Sequence, residues 1–198
     1  MNVHTLAKTT DEKLPVLVWY HDGGLTNGYA YDPRFQVKRV AREGVVVISG
    51  GHRLGTFGYL ALPQLKQDDG CVGNYGLMDT LLGLEWVHAN AAAFGGDPDN
   101  VTIAGEAGGT VKCCTLAACG QARGLFKRVI NQSGLQWKLK IETQEQAFKR
   151  GTEYLAILGL KDDISVKELR ELPAKALQAN GDPHDMLGKL SVDRRKTL

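Results

Sequence analysis

Ten residues constrain this chain more than any others: Asn100 to Gly109, reading Asn-Val-Thr-Ile-Ala-Gly-Glu-Ala-Gly-Gly. The apolar, β-branched run Val101 to Ala104 meets a glycine-rich turn, and an apolar stretch bearing cysteines follows. Strand, sharp turn, then helix is the layout of a nucleophile elbow, whose pattern is Gly-x-Ser-x-Gly. Gly105 and Gly109 have the required separation, but the central position holds Ala107. The turn is present without its nucleophile. Taken alone, the stretch also reads as an ordinary strand-to-helix loop with packing glycines, because short motifs recur by chance.

The flanking chain narrows the choice. Leu14 to Tyr20 is a nearly continuous apolar run, as in a strand covered on both faces, and His21-Asp22-Gly23-Gly24 follows at once. Paired glycines after a buried strand let backbone amides approach a ligand closely. Val45 to Ser49 is a second such strand, ending in Gly50-Gly51, and Arg128 to Asn131 a further one, ended by Ser133-Gly134. Asn2 to Thr5 reads as the end of a strand, and residues 63 to 72 as a polar turn. Leu77, Leu81, Leu84 and Val87 recur at helical spacing, which predicts a helix over 74–93 with Asn74 as its capping candidate. Phe94-Gly95-Gly96-Asp97-Pro98 stops it. A second helix is expected over 108–119. From Glu142 onward the pattern is helical (142–158, 165–171, 173–179) with no strand. Strands alternating with helices predict an α/β fold on a mainly parallel sheet with flanking helices.

Composition mostly excludes. A chain of 198 residues, 43% hydrophobic and 23% charged, suits one globular domain. The formal net charge of +2 gives no argument for a nucleic-acid partner, and Arg194-Arg195-Lys196 reads as a solvated tail. No apolar run approaches the roughly 20 residues of a membrane span, and the first residues lack the apolar core of a signal peptide. Four cysteines, with Cys113 and Cys114 adjacent and Cys119 nearby, show no metal-ligand spacing and read as core thiols. No metal or cofactor is expected, and the compartment stays open.

Five segments, in order and with consistent spacing, resemble the type-B carboxylesterase and cholinesterase-like branch of the α/β-hydrolases. They begin at Leu14 (Leu-Pro-Val-Leu-Val-Trp-Tyr-His-Asp-Gly-Gly), Arg53 (Arg-Leu-Gly-Thr-Phe-Gly-Tyr-Leu), Gly73 (Gly-Asn-Tyr-Gly-Leu-Met-Asp), Phe94 (Phe-Gly-Gly-Asp-Pro-Asp-Asn-Val-Thr-Ile-Ala-Gly-Glu) and Gly124 (Gly-Leu-Phe-Lys-Arg-Val-Ile-Asn-Gln-Ser-Gly). Residues 2 to about 134 carry the resemblance strongly, and Leu190-Ser-Val-Asp-Arg continues it weakly. It implies an α/β-hydrolase core over 1–140 and a helical continuation of the same domain over 141–198. It also implies a serine hydrolase of small-molecule carboxylic esters, in which a histidine takes the serine proton and an acid orients the histidine. The oxyanion-hole amides fall on Gly23, Gly24 and Gly108, Glu106 takes the place of the glutamate before the serine, and Ala107 stands at the nucleophile position. The count from Gly105 to Gly124 matches the family, so Ala107 is a substitution rather than the scar of a deletion.

Three further departures shape the expected function. The chain resembles a central piece of the family sequence, truncated at both ends. The family's acid and histidine have no counterpart, since His184 in Asn180-Gly-Asp-Pro-His-Asp does not match the family's histidine segment. Asp22 replaces the first glycine of the oxyanion loop. A carboxylate ~5 Å from a developing oxyanion opposes it by about 3 kcal/mol at an effective dielectric near 20. Neither Cys113, Cys114, Ser133 nor Asp22 stands where a substitute nucleophile is needed. The expected function is an esterase-type chain without turnover; a non-catalytic cholinesterase-like binding or adhesion module is the alternative. Open sheet edges and uncovered strand faces at Val16 to Trp19 and Val45 to Ser49 predict self-association.

Overall fold

A computed structural model of the chain describes residues 1–35, 37–134, 141–178 and 190–192. The buried apolar runs form its centre. The main sheet contains β1 (Asn2–His4), β2 (Leu14–Tyr20), β3 (Val46–Ser49), β4 (Gly96–Glu106) and β5 (Arg128–Gln132), in the order β1-β3-β2-β4-β5. β3, β2, β4 and β5 are mutually parallel, and only β1 runs antiparallel, against β3. Parallel neighbours require crossovers, and helices supply them. These are α1 (Val37–Ala41), α2 (Gly55–Tyr59), α3 (Pro63–Asp69) and α4 (Tyr75–Asn90) before β4, and α5 (Gly108–Ala118) after it.

One sheet face is lined by alternate residues, Val16, Val18 and Tyr20 of β2, Val46 and Ile48 of β3, and Val101 and Ile103 of β4. Leu84 and Val87 of α4 and Cys113 and Leu116 of α5 close over it. On the opposite face Trp19 packs on Phe35 with ring centroids 4.9 Å apart, and Ser49 Oγ donates to the Ala30 carbonyl at 2.7 Å. The expected uncovered faces are therefore absent from β2 and β3: Val16 and Val18 are 1% exposed, and Val46, Val47 and Ile48 are 0% exposed. The bare strand is β5, where Val129 and Ile130 are exposed.

Local sequence explains most boundaries, and the structure corrects three expectations. Residues 63–69 form α3 rather than a turn, because Pro63 is preorganised for the first helical turn and Gly70 (φ 76°) caps the end. Asn74 precedes α4, yet its side chain makes no capping bond to the helix. Two three-residue strands, β6 (Ile141–Thr143) and β7 (Leu190–Val192), pair in parallel in the region expected to be purely helical. There α6 (Gln144–Ile157) and α7 (Val166–Glu171) each begin with a capping box, Thr143 with Gln146 and Ser165 with Glu168. Tyr154 and Leu155 of α6 and Leu169 of α7 pack on Leu60 and Leu62. His184, and Arg194 to Lys196, lie outside the described residues.

Candidate active site

The turn between β4 and α5 is as sharp as its sequence demands. Ala107 sits at φ 48°, ψ −107°, a conformation that L side chains rarely adopt. Its N–H donates to the Gln132 carbonyl at 3.1 Å, and Thr110 Oγ1 donates to the Gly105 carbonyl at 3.1 Å, so both limbs of the turn are tied down. The flanking glycines are required by close approach. A Cβ added to Gly105 would lie 2.4 Å from the Gly109 carbonyl carbon, and one added to Gly109 would lie 2.1 Å from the Tyr20 oxygen. Backbone passes over backbone at both positions, which is the physical content of the Gly-x-x-x-Gly spacing.

The loop after β2 comes to the same place. A Cβ on Gly108 would lie 2.3 Å from Gly24 N, so the first turn of α5 and the glycine loop abut through main chain alone. Gly23 (φ 83°) and Gly24 (φ 66°) both adopt positive φ, and the Gly23 carbonyl accepts from Asn27 N at 3.0 Å. Gly24 and Gly108 thus meet at the carboxyl ends of β2 and β4, where open parallel sheets place their ligands, with Gly23 and Ala107 as their chain neighbours. A cavity of about 530 Å³, lined in part by Thr26, Asn27, Arg53 and Phe57, opens beside this loop.

Two carboxylates beside the loop share one arginine. Asp22 faces Arg34, whose Nη2 lies 3.2 Å from its carboxylate, and Arg34 also holds Asp32 through Nε at 2.9 Å. His21 is buried, its Nδ1 bonded to the Asp22 carbonyl at 2.7 Å and its ring stacked on His52 at 4.6 Å between centroids. Burial, reinforced by the Lys112 charge, holds the His21 imidazole down to about 4 and His52 down to about 3, so both rings are neutral at neutral pH. Lys112 on α5 is itself 1% exposed, and burial brings its ammonium down to about 7.

The other candidates fall elsewhere. Glu106 ends β4 opposite Gln132. Cys113 points into the sheet core, where burial raises its thiol to about 12, and Cys114 Sγ accepts from Asn131 Nδ2 at 3.4 Å. Ser133 (φ 60°) is exposed in the turn after β5, and the adjoining Gly134 lies against Ala107, a Cβ there falling 2.7 Å from the Ala107 oxygen. None of the side chains of His4, His21, His52 and His88 hydrogen-bonds to the turn. Among the described residues no group of three His, Cys, Asp or Glu is placed to hold a metal ion, and no helix is long and apolar enough to cross a membrane. Lys112, Arg34 and the histidine stack were not identified from sequence. Only Lys112 left a signal there, as a lone cation in the otherwise uncharged stretch Ala107 to Gly120.

The chain is similar to known esterases. The sequence matches the carboxylesterase family over residues 1–191. It is 37% identical over 155 residues to the para-nitrobenzyl esterase of Bacillus subtilis (strain 168), covering 78% of this chain and 31% of that protein. With liver carboxylesterase B-1 of Rattus norvegicus it shares 40% identity over 136 residues, 68% of this chain and 23% of the relative. Among solved structures, a thermophilic PNB esterase superposes with a TM-score of 0.80 at 30% identity, covering 98% of this chain and 41% of that one. A Geobacillus stearothermophilus carboxylesterase gives a TM-score of 0.78 at 34% identity, over 88% of this chain and 36% of that structure. The chain therefore spans less than half the length of each of these relatives. By sequence match and by fold, it belongs to the carboxylesterase family of α/β-hydrolases.

Proposed function

We propose that this chain carries the elbow and oxyanion-loop portion of a small-molecule carboxylic-ester site, and that the chain as given binds at that portion without turning esters over. The observation that carries this reading is Ala107, which holds the strained backbone conformation of an elbow residue while presenting only a methyl group. In the serine mechanism a hydroxyl at this point attacks the ester carbonyl, and backbone amides receive the negative oxygen. The amides assigned to that task are those of Gly23, Gly24 and Gly108, supported by the contact of Gly108 with Gly24. Asp22 counts less against them than its charge alone suggests, because its carboxylate is paired with Arg34.

A methyl group has no lone pair with which to attack. In a comparable serine hydrolase, loss of the nucleophile lowers turnover by about 10⁶. Glu106 supports the turn from the end of β4 and touches no reacting atom in this scheme. Self-association is proposed through β5, whose outer edge is unpaired among the described residues and carries exposed Val129 and Ile130.

The test is hydrolysis of p-nitrophenyl butyrate by the chain and by Ala107→Ser. Both are expected at the buffer rate, the second because no segment of the sequence given matches the family's histidine motif. Turnover by the unaltered chain that a single substitution in residues 105–110 removes would overturn the proposal.

A further inference from the structure

We propose that Lys112 is a positioning residue for the oxyanion loop: its ammonium, buried beneath the loop, grips the His21 carbonyl and keeps Gly23 and Gly24 against Gly108. The role rests on the ester-site reading of those three amides, but its test below does not. Lys112 Nζ donates to the His21 oxygen at 3.1 Å, across 91 positions of sequence, in a buried setting. Gly109, one helical turn earlier on the same face of α5, meets that carbonyl as well, since a Cβ there would lie 3.1 Å from the His21 oxygen. α5 therefore clasps the end of β2 at two consecutive points, one by close backbone approach and one by a charged donor.

A lysine is a costly choice for this place. An ammonium taken out of water loses hydration that one carbonyl only partly replaces. Among the described residues no carboxylate lies within ion-pair distance of Lys112. An apolar side chain would fill the position without that penalty. What the ammonium adds is a charge-assisted hydrogen bond to the residue directly before Asp22-Gly23-Gly24.

The groups facing Lys112 leave its charge free to change. Cys113 lies beside it on α5, and Asp22 and the neutral His21 face it from the loop. The neutral His52 faces it from the loop after β3. Asp22 is engaged by Arg34, and Asp79 acts on His52 rather than on Lys112. Tyr20, at the end of β2, is held protonated by burial, which raises it. Burial brings Lys112 to about 7, so near neutrality the grip alternates between a charged and a neutral donor, and the loop relaxes as pH rises.

The experiment follows glycine amides by NMR in the full chain labelled with ¹⁵N-glycine, titrated from about pH 5.5 to about 9. The Gly23 and Gly24 resonances are expected to shift with a midpoint near 7, while those of Gly44 and Gly159, in open turns, stay fixed. In Lys112→Met the shifts should vanish, and Gly23 and Gly24 amide exchange should quicken about tenfold or more, as for loss of one charge-assisted hydrogen bond. Lys112→Gln, which keeps an N–H donor, should recover part of the protection. Loop resonances without a midpoint in the unaltered chain, or unchanged by Lys112→Met, would overturn the proposal. If Lys112→Met does not fold, the titration of the unaltered chain decides alone. Adding butyrate to the same sample tests the ester site separately: silent amides with an intact Lys112 dependence would sink that reading and leave the positioning role standing.

Discussion

Replacing Ala107 by glycine should stabilise the protein, against the usual sign of such a change. Holding a residue with a side chain at φ 48°, ψ −107° costs about 1 to 3 kcal/mol, and glycine is free of most of that cost. Two terms oppose the gain. Glycine gives the unfolded chain more freedom, worth about 0.4 to 1 kcal/mol. The methyl is half-buried, so its removal loses about 0.4 kcal/mol of apolar burial. The balance is a gain of about 1 kcal/mol, or roughly 2–4 °C in Tm for a domain of this size. Differential scanning calorimetry at fixed pH measures it, with Ala117→Gly as the control. Ala117 is exposed in the last turn of α5, where glycine should cost up to about 1 kcal/mol. Opposite signs for the two variants are expected. Equal losses would show that residue 107 is unstrained and would refute the elbow geometry.

Other outcomes follow from the buried charges and the bare edge. Lys112 titrates near 7 folded against 10.5 for the free side chain, so the unfolded state binds more protons between those values. Stability should therefore rise with pH across that window, and Lys112→Met should remove the slope while raising stability at neutral pH, read from urea midpoints. His21 and His52 are held at about 4 and about 3, below the ordinary 6.5, so the unfolded state again binds more protons beneath 6.5. Stability should fall as pH drops from 6.5 through about 4, and the double variant His21→Asn, His52→Asn should flatten that limb. Ile130→Lys on the open edge should shift sedimentation toward the monomer without lowering Tm by more than about 1 °C, as surface changes usually do.

The parts legible in the sequence are those fixed by local chemistry. The apolar runs of β2, β3 and β4 announce covered parallel strands, and the leucine spacing of α4 announces a buried helix face. The sharp turn between β4 and α5 is legible because Gly105 and Gly109 are each pressed against backbone. Misreadings arise where a short element has little pattern to show. α3 is polar and seven residues long, and its only local marks are Pro63 and Gly70. β6 and β7 are three residues each, too short for alternation to register. The charge arrangement of the loop was not legible, because it depends on residues brought together from distant positions. Asp22 looks like a defect in a glycine loop until Arg34 is seen facing it. Lys112 looks like a surface residue until its helix is packed against the end of β2.

In the function proposed for this chain, the elbow frame is intact and its nucleophile position holds only a methyl group. Intact-mass spectrometry after incubation with an alkyl fluorophosphonate, which phosphonylates an activated serine with loss of fluoride, tests it most directly. An unchanged mass is expected for the chain and for Ala107→Ser, the second because no segment of the sequence given matches the family's histidine motif. A stoichiometric adduct on the unaltered chain, mapped by peptide sequencing to any residue near the Gly24–Gly108 contact, would contradict it.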